Sequence, residues 1–291
     1  MKPAAFDYHR PSTVDESVSL LAEFGDDAKV IAGGQSLVPM LALRIAVFDH
    51  LVDLGRIPEL RGIRREGGST WVGAGTTQAT IEHSADIAGA VPLLARATPL
   101  IAHVPIRNRG TLGGSLAHAD AAAEYPAVAL ALDAELQAAS VRGKRSIPAG
   151  RFFTGVWTTE LADDEVLTGV RFPVWSGRTG FAVEEFARRK HDFAVAGATA
   201  AVELDDTDHV VRCAIGLFGL GPAPQRASAA EAGAIGNRIT DVDAEEIGRQ
   251  ATTDLETVPS DLHGSSAYRK RVGAAVVARA WRRASEEAAH G

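Results

Sequence analysis

The chain has 291 residues, 46% of them hydrophobic, and carries 37 acidic against 30 basic side chains, a formal charge of −7. That length allows a well-buried core and more than one domain. The acidic balance, with no run of lysines and no basic stripe interleaved with aromatics, argues against a nucleic-acid partner, and no apolar run is long enough to span a bilayer.

In chain order, Thr13-Val14-Asp15-Glu16 fits a capping box, and the spacing of Val14, Val18, Leu21 and Phe24 predicts a helix closed by Gly25. Lys29 to Ala32 reads as a short buried strand leading into Gly33-Gly34, with the apolar pair Leu37-Val38 beyond. His50 to Leu54 reads as a strand, and Ile63 to Arg65 pairs with Trp71 to Ala74 as a hairpin turned at Gly67-Gly68. Helical pattern follows from Thr77 to Ile81, around Leu93 to Ala97, and from Tyr125 to Leu132, with a second glycine loop between those helices. Ala134 to Val141, Glu165 to Phe172 and Phe181 to Arg188 look like strands, and Pro173 to Gly177 marks a boundary. Two more strands, Ala194 to Leu204 and Val210 to Gly219, turn at Asp205 to Asp208. Two helical tracts close the chain: alanine-rich Ala227 to Gly236, and a final one with Val272, Val276 and Ala280 on one face. Asp241, Asp243, Glu245 and Glu246 read as a solvated face.

The two glycine pairs carry the most chemistry. Ala32-Gly33-Gly34-Gln35-Ser36 and Thr111-Leu112-Gly113-Gly114-Ser115 each join a glycine pair to a hydroxyl. Glycine lets the backbone turn with positive φ and approach a ligand, and successive N–H groups can then enclose an anion. Arg107-Asn108-Arg109 adds charge beside the second pair. Two such nests suit a pyrophosphate. Either pair alone reads rather as a plain turn, and the two together carry the cradle reading. No G-x-G-x-x-G and no G-x-x-x-x-G-K-[ST] occurs, which excludes Rossmann and P-loop sites. The single Cys213 provides neither a disulfide framework nor a thiolate cluster and reads as a small buried hydrophobe. Nine scattered histidines show no ligand spacing, so no metal site is expected. The start, Met1 to Asp7, lacks a signal-peptide core, and the expected location is the cytoplasm.

Ala32 to Leu37 and Ile106 to Ser115 resemble the two FAD-binding loops of the flavoprotein subunits of molybdenum hydroxylases, which include the medium subunit of aerobic carbon monoxide dehydrogenase and the xanthine dehydrogenase FAD domain. Further likeness runs through Phe6-Asp7-Tyr8, Val52-Asp53-Leu54, Arg188 to Ala194 and Ala267-Tyr268-Arg269. The resemblance implies an α+β chain with a two-subdomain FAD-binding fold of the vanillyl-alcohol-oxidase/PCMH type over 1–176 (subdomains about 1–57 and 58–176), followed by a small α+β C-terminal domain over 177–291. It implies FAD as cofactor, with the pyrophosphate on backbone N–H groups of Ala32, Gly33, Gly34, Gln35 and Ser36 at one end and of Thr111, Leu112, Gly113, Gly114 and Ser115 at the other. Ile101 is placed near the flavin; Asp120 and Glu124 are candidates to accept from it, Leu167 to meet it through its backbone, and Lys190 to set a cation beside it. Glu184 stands where the xanthine enzyme has a lysine. The implied role is electron transfer from the [2Fe-2S] clusters of a small partner subunit, with a molybdenum cofactor on a large one, in a dimer of heterotrimers. Two other readings stay open: a free-standing FAD oxidase, whose covalent flavin would call on a histidine such as His50, and a non-catalytic flavin-binding scaffold.

Overall fold

The structure is a computed structural model and describes residues 2–291. A small parallel sheet comes first: β1 (Asp7–His9), β2 (Ala28–Ile31) and β3 (His50–Asp53), in the order β1-β3-β2. Its crossover is α1 (Val14–Phe24), capped by the Thr13 hydroxyl on the Glu16 N–H; the Glu16 carboxylate closes back on the Ser12 N–H rather than on that of Thr13. The crossover passes from β1 to β2 over β3, and the parallel neighbours β2 and β3 are joined through residues 32–49, because parallel pairing needs a crossover rather than a tight turn. A short helix, α2 (Leu37–Ala42), follows β2 after the first glycine pair.

A five-stranded antiparallel sheet comes next, built from β4 (Ile63–Glu66), β5 (Ser69–Gly73), β6 (Glu135–Ser140), β7 (Gly143–Pro148) and, after the small hairpin β8 (Phe153–Gly155) and β9 (Thr158–Thr159), β10 (Val166–Pro173). Its order is β4-β5-β10-β6-β7. Between β5 and β6 lie α3 (Gln78–Glu82), α4 (Ala85–Ala90), α5 (Pro92–Ala97), α6 (Val104–Arg107), α7 (Leu112–His118) and α8 (Glu124–Ala131), and α9 (Ala149–Phe152) follows β7. The largest core cluster joins these helices to the sheet through Val72, Ile81, Leu94, Leu112, Tyr125, Leu136, Phe152 and Phe172.

The third sheet is antiparallel: β11 (Arg178–Phe186), β12 (Ala196–Leu204), β13 (Val210–Phe218) and β14 (Gln225–Arg226). Its central strand β12 has almost no exposed residue and is rich in alanine, because α8 covers one face and the final helix the other. That final helix belongs to a set of three: α10 (Ser228–Ala234), α11 (Ala244–Thr253) and α12 (Ser266–His290). Val276, Ala280 and Trp281 of α12 are buried against the sheet. The approach is close enough that a Cβ at Gly180 would stand 1.9 Å from the Ala284 carbonyl oxygen.

One expectation changes here, and two elements are added. The second glycine pair lies in the first turn of α7 rather than in a loop. Gly143–Pro148 is a strand whose lysine, arginine and serine hid its pattern, since it sits at the sheet edge with five of six residues exposed. The acidic stretch near 241–246 begins a third C-terminal helix, where the Asp243 carboxylate caps the Glu245 N–H. Cys213 is buried, and burial pushes its thiol up to about 12. Among the described residues no helix is long and apolar enough to cross a membrane.

Candidate functional site

The two glycine segments meet. A Cβ built on Gly33 would stand 2.2 Å from the Arg109 carbonyl oxygen and 2.8 Å from Gly110 Cα, and one built on Gly114 would stand 3.4 Å from the Ala32 Cβ. At Gly33 a side chain is therefore excluded because two backbones touch, whereas at Gly114 the neighbours are side-chain atoms. Only Gly34, at φ +73°, uses the left-handed region that favours glycine. The expectation that each pair turns with positive φ holds for that residue alone.

The two segments differ in what they can donate. The N–H groups of Gly33, Gly34, Gln35, Ser36 and Leu37 meet no acceptor among the described residues. The Gln35 amide turns back onto the Gly33 carbonyl at 2.8 Å and stiffens the bend, and Ser36 is exposed at the start of α2. On the second segment the donors are already engaged: Leu112 N–H donates to Thr76 O (3.0 Å), Gly113 N–H to Ala74 O (2.8 Å), Gly114 N–H to the Thr111 hydroxyl (3.0 Å) and Ser115 N–H to Thr111 O (3.1 Å). Leu112 and Gly113 are buried, and a Cβ on Gly113 would strike the Ala74 Cβ at 2.4 Å. The second segment thus contributes a rigid bare surface and the Ser115 hydroxyl. The first contributes the anion-seeking amides.

Arg107 also differs from its sequence reading as a phosphate-side cation. It is 5% exposed. Its guanidinium forms a bidentate pair with Glu82 at 2.8 and 3.0 Å and donates to the carbonyls of Ile101 (3.0 Å) and Ala102 (2.9 Å). Ala102 has φ +40°, an uncommon state for a residue with a Cβ. Arg107 is the clamp that holds this segment, with Ile101 packed partly buried against the core. Arg109, by contrast, is exposed.

Of the remaining candidates, Asp120 lines a cleft of about 510 Å³, whereas Ile101, Glu124, Leu167 and Lys190 are not among its lining residues. Asp120, Ala121 and Ala122 of one segment and Arg188, His191, Asp192 and Phe193 of another line it together. The Asp120 carboxylate accepts the Ala122 N–H at 2.8 Å, directly after Ala119 ends α7 at φ +52°. Loop 187–194 carries exposed Arg188, Arg189 and Lys190, and its His191 ring lies edge-on to His103 at 5.0 Å, next to the Ile101 segment. Leu167 is buried at the β10 irregularity, with its side chain in the core. Glu184 forms ion pairs with Arg279 and Arg283 of α12. His50 is engaged by His9 at 3.1 Å and stacks on Phe24.

Glu124 begins α8, and Glu185, which the sequence reading passed over, faces it. Val183 packs with Ala127; two residues along the strand keep one face and three along the helix keep one side, which brings Glu185 opposite Glu124. Burial, with Glu185 and Asp120 as nearby like charges, pushes the Glu124 carboxyl up to about 8, and burial pushes Glu185 up to about 7. Glu185 Oε2 is buried with no hydrogen-bond partner among the described residues. An acid whose folded pKa is raised holds its stabilising proton fully below the unfolded value near 4.5 and loses that contribution as pH rises through the folded value. Glu124→Gln is therefore expected to leave the urea midpoint near wild type at pH 5 and to raise it relative to wild type at pH 8.5. Parallel pH profiles for the two proteins would remove Glu124 as the titrating group.

Residues 4–175 match the family described as the FAD binding domain in molybdopterin dehydrogenase, and residues 181–284 match the CO dehydrogenase flavoprotein C-terminal domain. The chain is 41% identical over 272 residues to the 6-hydroxypseudooxynicotine dehydrogenase complex subunit alpha of Paenarthrobacter nicotinovorans, covering 94% of this chain and 92% of that protein. It is 37% identical over 280 residues to the carbon monoxide dehydrogenase medium chain of Hydrogenophaga pseudoflava, covering 96% and 97%. The fold superposes on a chain of carbon monoxide dehydrogenase from Hydrogenophaga pseudoflava with a TM-score of 0.95 at 38% identity, covering 99% of each. For a chain of quinoline 2-oxidoreductase from Pseudomonas putida 86 the TM-score is 0.93 at 37% identity, again covering 99% of each.

Proposed function

The chain belongs to the family of FAD-binding domains in molybdopterin dehydrogenases, and on that premise we propose that it is the FAD-carrying electron-transfer subunit of a molybdenum hydroxylase complex. When bound, FAD supplies the redox-active ring that no side chain can replace. One observation supports this reading above the others: two glycine segments about eighty residues apart meet backbone to backbone, and one of them offers five N–H groups without an acceptor. That is the donor set a phosphate seeks.

In this reading the amides of Gly33 to Leu37, with the Ser36 hydroxyl, hold the pyrophosphate, and Ser115 completes the cradle from the other side. Asp120 and Glu124 accept hydrogen bonds from the cofactor. Ile101 and the Leu167 backbone bound its ring, and Lys190 sets a cation at the cleft mouth. Residues 1–176 form the cofactor domain and 177–291 the domain that closes the cleft. A small partner with [2Fe-2S] clusters delivers electrons, a large partner with the molybdenum cofactor performs the hydroxylation, and the assembly is a cytoplasmic dimer of heterotrimers.

The test is reconstitution. The purified chain should take up FAD yet leave it oxidised when each candidate substrate is added anaerobically; adding the molybdenum and iron–sulfur chains should then bleach the visible flavin absorbance. Rapid bleaching by substrate with this chain alone would replace the proposal with a free-standing oxidase, and no FAD uptake would leave a scaffold.

A further inference from the structure

Arg269 lies in the first turn and a half of α12, beyond its Ser265 cap, and is 5% exposed. Its guanidinium joins three stretches of chain that are distant in sequence. Nη1 donates to the carbonyl oxygens of Val195 (2.7 Å) and Gly219 (3.2 Å), and Nη2 donates to both carboxylate oxygens of Asp261 at 2.8 Å. Both carbonyls belong to the cleft walls. The Val195 N–H donates to Phe186 O at 2.8 Å and so closes the base of loop 187–194. The Gly219 N–H donates to Ala121 O at 2.7 Å, in the segment that leads to Glu124. Gly219 sits at φ +73°, and a Cβ there would stand 2.9 Å from Ala194 O and 3.1 Å from Val195 O, so bare backbone is what lets the two carbonyls share one guanidinium.

Stability alone gives a poor account of this arrangement. A buried ion pair is often no better for stability than an apolar replacement, and its best-attested use is to fix register. Here Nε is buried with no acceptor among the described residues, an additional cost. Helix α12 has its own means of attachment, through Val276, Val277, Trp281 and Ala284 in the core it shares with the sheet. We propose that Arg269 is a positioning residue for the cofactor: it locks loop 187–194 and segment 119–124, both of which line the cleft, to one another. The inference rests on the reading of the chain as a FAD carrier. The Arg269 guanidinium in turn holds the Asp261 carboxyl below its usual range.

The test uses the full-length chain loaded with FAD, in wild-type, Arg269→Met and Arg269→Lys forms, with Arg249→Met on the exposed side of α11 as control. Arg269→Met is expected to raise the FAD dissociation constant about tenfold, equivalent to about 1.4 kcal/mol. It should also make bound flavin more readily quenched by iodide, and Arg269→Lys should recover part of both losses. In the cofactor-free chain, amide exchange at Val195 and Gly219 should accelerate while the centres of β12 and β13 stay protected. Unchanged affinity and quenching in both variants, with wild type binding FAD normally, overturns the inference and leaves the carrier reading standing. Exchange that rises throughout β12 and β13, with affinity falling in step with the urea midpoint, overturns it in favour of a purely structural arginine. A wild-type chain that takes up no FAD overturns both.

Discussion

Gly33→Ala is expected to lower FAD affinity about a hundredfold, equivalent to about 2.7 kcal/mol. The added methyl would meet the Arg109 carbonyl oxygen at 2.2 Å and Gly110 Cα at 2.8 Å, and neither atom can rotate away because both are backbone. The two segments must separate, and the five amides from Gly33 to Leu37 then no longer face the Ser115 side of the cradle. Overpacking of this kind costs about 1–3 kcal/mol of stability as well. Gly114→Ala is the internal comparison. Its nearest obstacles are the Thr111 hydroxyl at 2.9 Å and the Ala32 methyl at 3.4 Å, both side-chain atoms, so a smaller loss is expected. Isothermal titration with FAD, beside a urea denaturation curve for each variant, measures the two effects separately. Equal affinities for Gly33→Ala and wild type would show that contact between the segments has no part in binding.

Arg107→Met is expected to destabilise the chain by about 3 kcal/mol, the lower end of what removal of one partner from a buried ion pair costs. The lower end applies because the remaining Glu82 side chain is 20% exposed and water can reach part of it. The same change releases the Ile101 and Ala102 carbonyls. The φ +40° state at Ala102 then has nothing to hold it, and the wall beside His103 and His191 loosens. FAD affinity should fall together with the urea midpoint. Adding Glu82→Gln should restore part of the midpoint, since most of the penalty is the orphaned carboxylate rather than the missing arginine. A double variant no more stable than Arg107→Met alone would assign the loss to packing.

Much of the site was legible in the residues because its chemistry is local. A glycine pair followed by a hydroxyl is a statement about a few consecutive backbone units, and the strand before Gly33 is marked by the apolar residues Val30, Ile31 and Ala32. The second pair was harder to read. Whether Leu112 to Ser115 form a loop or a helical turn depends on Thr76 and Ala74 as acceptors, which come from a strand edge nearly forty residues earlier. Arg107 is illegible for the same reason: beside a phosphate loop an arginine looks like a ligand, and only the fold brings Glu82 to it. Glu185 carries no sequence signal, and Arg269 carries only the likeness of Ala267-Tyr268-Arg269 with no role attached, since a carboxylate in a strand and an arginine at a helix start are ordinarily solvent-facing.

By itself, the sequence determined the class of ligand, the family and the order of most elements, because turn glycines, caps and hydrophobic periodicity act over a few neighbouring residues. The tertiary structure alone decided which amides stay available, which cation is locked away and which carboxylates are raised. Those properties depend on acceptors, water and charges supplied by chain segments tens of residues apart, and neither desolvation nor a close backbone approach is encoded in any single stretch.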